Sequence, residues 1–224
     1  MTTEDIIKFK QDFASAVKRA LQANVDVIEI HAAHGFLLHE FLSPVSNKRQ
    51  DIYGGSFENR TRLLLELIEL VRGIIPKEMP LFTRISATDW LEDSKDIADS
   101  WDLSQSIKLS KMLRDLGVDL LDVSSAGLHP KQQVRTEIGY QSRFAKQIKD
   151  EVGDTMRVTA VGAISTGLLA QQILDSGVDA VMVGRAFQKN PGLVWTWAEE
   201  LRVEINVAKQ IPWAIPGGKG GWQS

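Results

Sequence analysis

One five-residue pattern occurs three times in this chain: Asn24-Val25-Asp26-Val27-Ile28, Gly117-Val118-Asp119-Leu120-Leu121 and Gly177-Val178-Asp179-Ala180-Val181. Each copy follows an amphipathic helical stretch. Glycine or asparagine in first place accepts the left-handed backbone that closes a helix. A short polar step then leads into an apolar run of strand length. The pattern is the helix-to-strand half of a βαβ unit, repeated along the chain. Its apolar runs are nearly continuous rather than alternating. That suits parallel strands covered on both faces.

On this basis strands are expected at about 27–31, 81–86, 119–124, 158–163 and 180–185. Helices are expected over 3–23, 57–73, 102–116, 140–152 and 165–176. The first carries Ile6, Phe9, Phe13, Val17 and Ala20 on one stripe. Thr2 and Asp5 are spaced for a capping box, and Ser56 for an N-cap. Strands alternating with helices make an α/β fold. Five units fall short of a closed (β/α)8 barrel, which takes about 250 residues. Two readings follow: a small open sheet, or a partial TIM barrel made of about five C-terminal strand–helix units. Residues 1–209 are expected to form this domain, with a Pro/Gly-rich tail over 210–224.

Composition excludes several classes. Net charge is −3, which gives no electrostatic case for nucleic acid or an anionic membrane. There is no cysteine, so disulfides, thiolate metal sites and cysteine nucleophiles are absent. No apolar run reaches the roughly 18 residues of a membrane span. The N-terminus, MTTEDIIKFK, is acidic and helical in pattern, unlike a signal peptide.

In α/β folds chemistry gathers at the C-terminal ends of parallel strands. The first strand runs into His31 and His34, two of only four histidines. The second contains Arg84 and ends at Ser86. The third ends in Ser124-Ser125-Ala126-Gly127. The fourth ends in Gly162, ahead of Ser165-Thr166 at a helix start, and the fifth in Gly184-Arg185. This rim is rich in cations, hydrogen-bond donors, glycines and helix starts, and poor in carboxylates. It suits an anion, and the last two units suit a phosphate.

The histidine pair has three readings: core histidines, a metal site lacking a visible third ligand, or two donors converging on one anionic or carbonyl oxygen. Arg84 inside the apolar run LFTRIS is either half of an internal ion pair or a contact for a ligand anion. The long polar segment 43–62 holds Asp51, Tyr53, Gly54, Gly55, Glu58, Asn59 and Arg60, and reads as loop folding and helix capping.

These residues resemble the old yellow enzyme family, in its thermophilic-like class. The likeness lies in His31-Ala32-Ala33-His34-Gly35-Phe36, Phe41-Leu42-Ser43-Pro44, Asn47, Arg49, Asp51, Tyr53-Gly54-Gly55, Ser56 and Glu58-Asn59-Arg60. It extends through Arg84, Asp122 to Ser125, Gly162 and Gly184-Arg185, over about residues 1 to 195. The resemblance implies an FMN-dependent NADH or NADPH oxidoreductase that reduces the C=C bond of a small enone, expected in the cytoplasm. Catalytic His31 and His34 would hold the activating oxygen, with Ala32, Ala33 and Phe36 lining the substrate site. Arg84, Ser125, Gly162, Gly184 and Arg185 would hold the cofactor. No metal, nucleic acid or membrane is implied, and a homo-oligomer is compatible. The family's three preceding strand–helix units are not in this chain. The family places a proton-donating tyrosine where this chain has Phe36, and this class often ends with an arginine near an aromatic, whereas the tail reads PGGKGGWQS. A second expectation is therefore a non-catalytic truncated remnant that acts through its open sheet edges.

Overall fold

A computed structural model describes residues 1–127, 129–206, 208 and 210–211. The expected tail over 210–224, with Lys219 and Trp222, lies almost wholly outside the described residues. The order is α1 (Thr3–Gln22), β1 (Ile28–Ala32), α2 (Leu37–Leu42), α3 (Phe57–Arg72), β2 (Leu81–Ser86), α4 (Leu103–Asp115), β3 (Leu120–Ser124) and α5 (Ser142–Val152). β4 (Arg157–Val161), α6 (Gly167–Asp175), β5 (Ala180–Met182), α7 (Arg185–Lys189) and α8 (Leu193–Leu201) complete it.

The three repeats behave as stop signals. Asn24, Gly117 and Gly177 all have positive φ, at 56°, 83° and 101°. After α1 and α4 the next two amides turn back onto the last helical turn. Gly117 N–H donates to Arg114 O at 2.9 Å, and Val118 N–H to Leu113 O at 3.0 Å. The chain then enters the next strand. Thr2 and Asp5 form the expected capping box, and Ser56, Asp102 and Thr166 cap α3, α4 and α6.

The strands form one parallel sheet in the order β1-β2-β3-β4-β5. Consecutive neighbours without a reversal are the order of a barrel segment, not of a doubly wound sheet, which reverses at a switch point. One face carries Ile30, Ala32, Leu81, Ile85, Leu121, Val123, Val158 and Ala160, all at 0–1% exposure against the helices. The other face is open toward β1, where Glu29 and His31 are exposed, while Asp122 and Thr159 on it are 1% exposed. The expectation of cover on both faces is thus corrected, because five strands do not curl round to close on themselves.

Strand β4 stops at Val161, where Gly162 (φ 118°) and Ala163 (φ 52°) turn the chain. Strand β5 stops at Met182, because Gly184 and Arg185 already open α7. Three helices went unforeseen. The α2 sequence LLHEFL is too short to show a period, and it buries Leu38, His39, Phe41 and Leu42. The short α7 and the apolar α8 follow the last strand.

The segment 43–62 is a polar network. Asn47 Nδ2 donates to Phe41 O and Tyr53 O, both at 2.7 Å. Asp51 accepts from Tyr53 N–H at 3.0 Å, and Arg60 donates to Gln105 at 2.7 Å and to Leu42 O. A side chain at Gly54 would lie 2.4 Å from the Arg49 carbonyl oxygen.

Gly117→Ala is expected to destabilise the chain by about 1–2 kcal/mol, the cost of a side chain in left-handed backbone. Gly73→Ala, at φ −71° with Cβ contacts no closer than 3.5 Å, is expected to be neutral or slightly stabilising. Urea unfolding of the two variants checks both, and equal effects would remove the stop-signal account.

Candidate active site

Parallel register assembles the site. His31 pairs with Arg84, Arg84 with Asp122, and Asp122 with Thr159. Paired residues in a parallel sheet share a face, so these four side chains form one row across the open face. Glu29 sits one step earlier on the same face. Asp122 is 1% exposed; it accepts from Thr159 Oγ1 at 3.2 Å and lies 2.9 Å from Arg84 Nε. Arg84 is thus half of an internal ion pair, and its side chain keeps 27% exposure toward the open face. Burial, then the Asp122 charge, pushes the Glu29 carboxyl up. Burial also pushes Asp122 up, against Arg84 and Thr159. The rim therefore holds more carboxylate than the sequence suggested, and it is screened by one arginine.

At the β1 end of this row the His34 ring meets that of His31. His31 and His34 have ring centroids 5.2 Å apart. His34 (φ 61°) and Gly35 (φ 75°) form a tight left-handed turn. The His34 N–H donates to Ser86 Oγ at 2.9 Å, and Ser86 Oγ in turn donates to Ala126 O at 2.6 Å. The His34 ring sets Nε2 against Ser124 Oγ at 2.7 Å. Ser124 Oγ also faces Gln141 Oε1 at 3.3 Å as a donor. With its one proton given to Gln141, Ser124 accepts from His34 Nε2–H and Nδ1 is unprotonated; with that proton given to His34, Nδ1 carries the imidazole proton and faces outward. Burial first, then the Arg84 charge, holds His34 down to about 4 and lowers His31 in the same way. Both rings are therefore neutral near pH 7 rather than cationic.

The other expected residues separate into groups. Ala32 and Ala33 are 0% exposed, so their methyls belong to the core. Phe36 is 58% exposed, its ring centroid 5.3 Å from that of His31. Ser125 is buried; its Oγ accepts from Trp90 Nε1 at 2.8 Å and donates to Gln141. Gly162 needs its missing Cβ because Gln141 Nε2 would lie 2.5 Å away. The α6 start, expected at Ser165-Thr166, is not free: Gly167 N–H donates to Glu200 of α8 at 2.7 Å, and Thr166 takes the Leu169 N–H.

What remains is a cleft of about 600 Å³ lined by Gly162, Ala163, Gly184, Arg185, Lys189 and Asn190, among others. No atom lies within 4 Å of where a Gly184 Cβ would stand, so backbone is open to a ligand there. With Arg185 and Lys189 on its walls, the cleft fits a phosphate ester.

His39 was not foreseen, since it lies on the unforeseen α2. It is 1% exposed, and its Nδ1 accepts the Gly35 N–H at 2.7 Å. Its Nε2 is 2.9 Å from Asp89, which also accepts from Ser43 Oγ at 2.6 Å and Trp101 N–H at 3.1 Å. This network fixes the turn that carries His34. Its only sequence signal was a third histidine five residues beyond the second.

Residues 1–204 match the family described as NADH:flavin oxidoreductase / NADH oxidase. The chain belongs to that family. It is 55% identical to an NADH:flavin oxidoreductase of Gibberella zeae, over 98% of this chain and 55% of that protein. It is 42% identical to the NADPH dehydrogenase of Bacillus subtilis, over 92% of this chain and 58% of that protein. The chain thus spans little more than half the length of these curated relatives. Among solved structures, the old yellow enzyme homologue of Zymomonas mobilis superposes with a TM-score of 0.71 at 28% identity, over 93% of this chain and 56% of that one. Morphinone reductase in complex with tetrahydroNAD gives 0.68 at 27%, over 92% and 52%. A 2-naphthoyl-CoA reductase complex gives 0.79 at 24% over 89% of this chain, a likeness of fold. The partial-barrel reading stands: the five-stranded parallel sheet matches part of a TIM barrel.

The His34 ring is expected to titrate near pH 4 in NMR. Arg84→Met is expected to raise that midpoint but leave it below the ordinary histidine range of about 6.5, because burial is the larger cause. The folded value lies below the unfolded one, so the unfolded chain takes the proton first. The stability linked to His34 is therefore present above about pH 6.5 and lost as pH falls toward 4. A midpoint near 6.5 would contradict the packing described.

Proposed function

We propose that the chain carries the substrate-activating and phosphate-binding part of an FMN-dependent NADPH or NADH oxidoreductase that reduces the C=C bond of α,β-unsaturated carbonyl compounds. The observation that supports this most is the pair of neutral imidazoles on the open sheet face, beside Arg84. Two neutral N–H donors polarise a carbonyl oxygen without presenting a formal charge. FMN, when bound, supplies the hydride relay between the nicotinamide and the substrate. Its phosphate would lie in the cleft with Gly184, Arg185 and Lys189. Arg84 presents a partly exposed guanidinium beside the histidines, placed to favour negative charge there.

Phe36 offers no proton. Its exposed position against His31 lets solvent water reach the substrate carbon that must be protonated. The activities named for the relatives belong to longer proteins, of which this chain spans 55% and 58%, so catalysis by this chain is itself part of the proposal. One observation favours a second reading, a non-catalytic role through protein contacts: the inner face leaves Glu29 and His31 in solvent.

With FMN and NADPH supplied, reduction of a cyclic enone by this chain is the direct test. His31→Ala is expected to weaken a phenolic ligand at least tenfold. Phe36→Tyr is expected to speed enone reduction severalfold while leaving the flavin reduction step unchanged. No turnover together with unchanged phenol affinity would favour the second reading.

A further inference from the structure

Ser124, Ser125 and Gln141 are 4%, 4% and 3% exposed, so their polar groups must satisfy one another rather than bulk water. Gln141 has a fixed orientation. Its Nε2 donates to Val161 O at 2.8 Å, and a carbonyl oxygen only accepts, so Oε1 is the atom that faces the serines. Gly162 leaves room for this amide, since a Cβ there would lie 2.5 Å from Gln141 Nε2. Ser125 is fixed in turn. Its Oγ accepts from Trp90 Nε1 at 2.8 Å, and an indole nitrogen only donates. The Ser125 proton therefore goes to Gln141 Oε1, in a short bond.

Ser124 then holds one proton between two acceptors. His34 Nε2 stands 2.7 Å away. Gln141 Oε1 stands 3.3 Å away and already takes the Ser125 proton. A hydroxyl donor ordinarily sits about 2.7–2.8 Å from its acceptor, so the ring is the better placed of the two. On the other side of the imidazole, Nδ1 has no hydrogen-bond partner among the described residues and is not one of their buried unpartnered atoms, so it is open to a ligand.

We infer that Ser124 is a positioning residue for the proposed reaction: its hydroxyl donates to His34 Nε2, which places the ring proton on Nδ1 and offers an N–H to the ligand. Ser125 and Gln141 support it by leaving that hydroxyl proton to the ring. The tautomer sets the ligand chemistry. Nδ1–H suits an oxygen that accepts, a carbonyl or a phenolate, whereas an unprotonated Nδ1 would repel that oxygen and suit a hydroxyl or an amine. The inference rests on the proposed function for its use, while its first test needs neither flavin nor turnover.

Long-range proton–nitrogen NMR of the flavin-free chain distinguishes the two tautomers at neutral pH, where the ring is uncharged. His34→Gln assigns the signal. Nδ1–H is expected in the unaltered chain. Ser124→Ala removes the donor and leaves the Gln141 amide oxygen, an acceptor, behind it, so the proton is expected to shift to Nε2. Ser124→Thr keeps a hydroxyl and is expected to keep Nδ1–H. With FMN supplied, Ser124→Ala is expected to bind 4-nitrophenolate about tenfold more weakly, the loss of one hydrogen bond to a charged oxygen, and Ser124→Thr to restore it. Circular dichroism confirms that each variant is folded. A residue that only packs the strand end would leave the tautomer unmoved. An Nε2–H ring in the unaltered chain, a tautomer indifferent to Ser124→Ala, or unchanged 4-nitrophenolate affinity in that variant would each overturn the inference. The described shift in a chain that reduces no enone supports the inference and counts against the proposed function alone.

Discussion

Everything functional in this chain hangs on parallel register. Because β1 to β4 run the same way and pair residue for residue, His31, Arg84, Asp122 and Thr159 fall on one line across the sheet. A slip of one residue in any strand would send its member to the helix side. At the strand entrances the Asp119 carboxylate accepts the Leu81 N–H and the Asp179 carboxylate the Val158 N–H, both at 2.8 Å, which holds that register. The turn after β1 then needs only to bring His34 beside His31.

The same geometry explains the electrostatics. Glu29, Asp122, Arg84 and the two imidazoles share one face, and Arg84 serves all of them. It opposes the burial penalty on Asp122 and Glu29, and it helps keep both histidines neutral. An arginine needed to neutralise a buried aspartate thus also shapes a donor pair. The ion-pair and ligand-contact readings of Arg84 are therefore compatible: Nε faces Asp122 while part of the guanidinium remains exposed.

Much of the fold was legible because it rests on local rules. Asn24, Gly117 and Gly177 announced helix ends through their backbone freedom, and continuous apolar runs announced strands. The unforeseen parts depend on tertiary contact. LLHEFL became α2 by burying four side chains, a fact no six-residue window contains. At the site, the histidine pair and Arg84 could be read from strand-end position. The close approach of Gln141, twenty-one residues away, to Gly162 could not, although the positive φ of Gly162 alone already favours glycine. Nor could the occupied start of α6, because Glu200 arrives from an unforeseen helix. Ser125 stands at a strand end, but Trp90 and Gln141 hold its hydroxyl, and neither contact is visible in the local sequence.

The proposed function requires this chain to recognise a phosphorylated flavin, with Arg185, Lys189 and the open backbone at Gly184 placed to meet the phosphate. The most direct measurement compares binding of FMN and riboflavin to the purified chain by fluorescence titration. The account predicts that FMN binds at least tenfold more tightly, with the difference abolished in Arg185→Ala/Lys189→Ala. Equal affinity for the two flavins would contradict it.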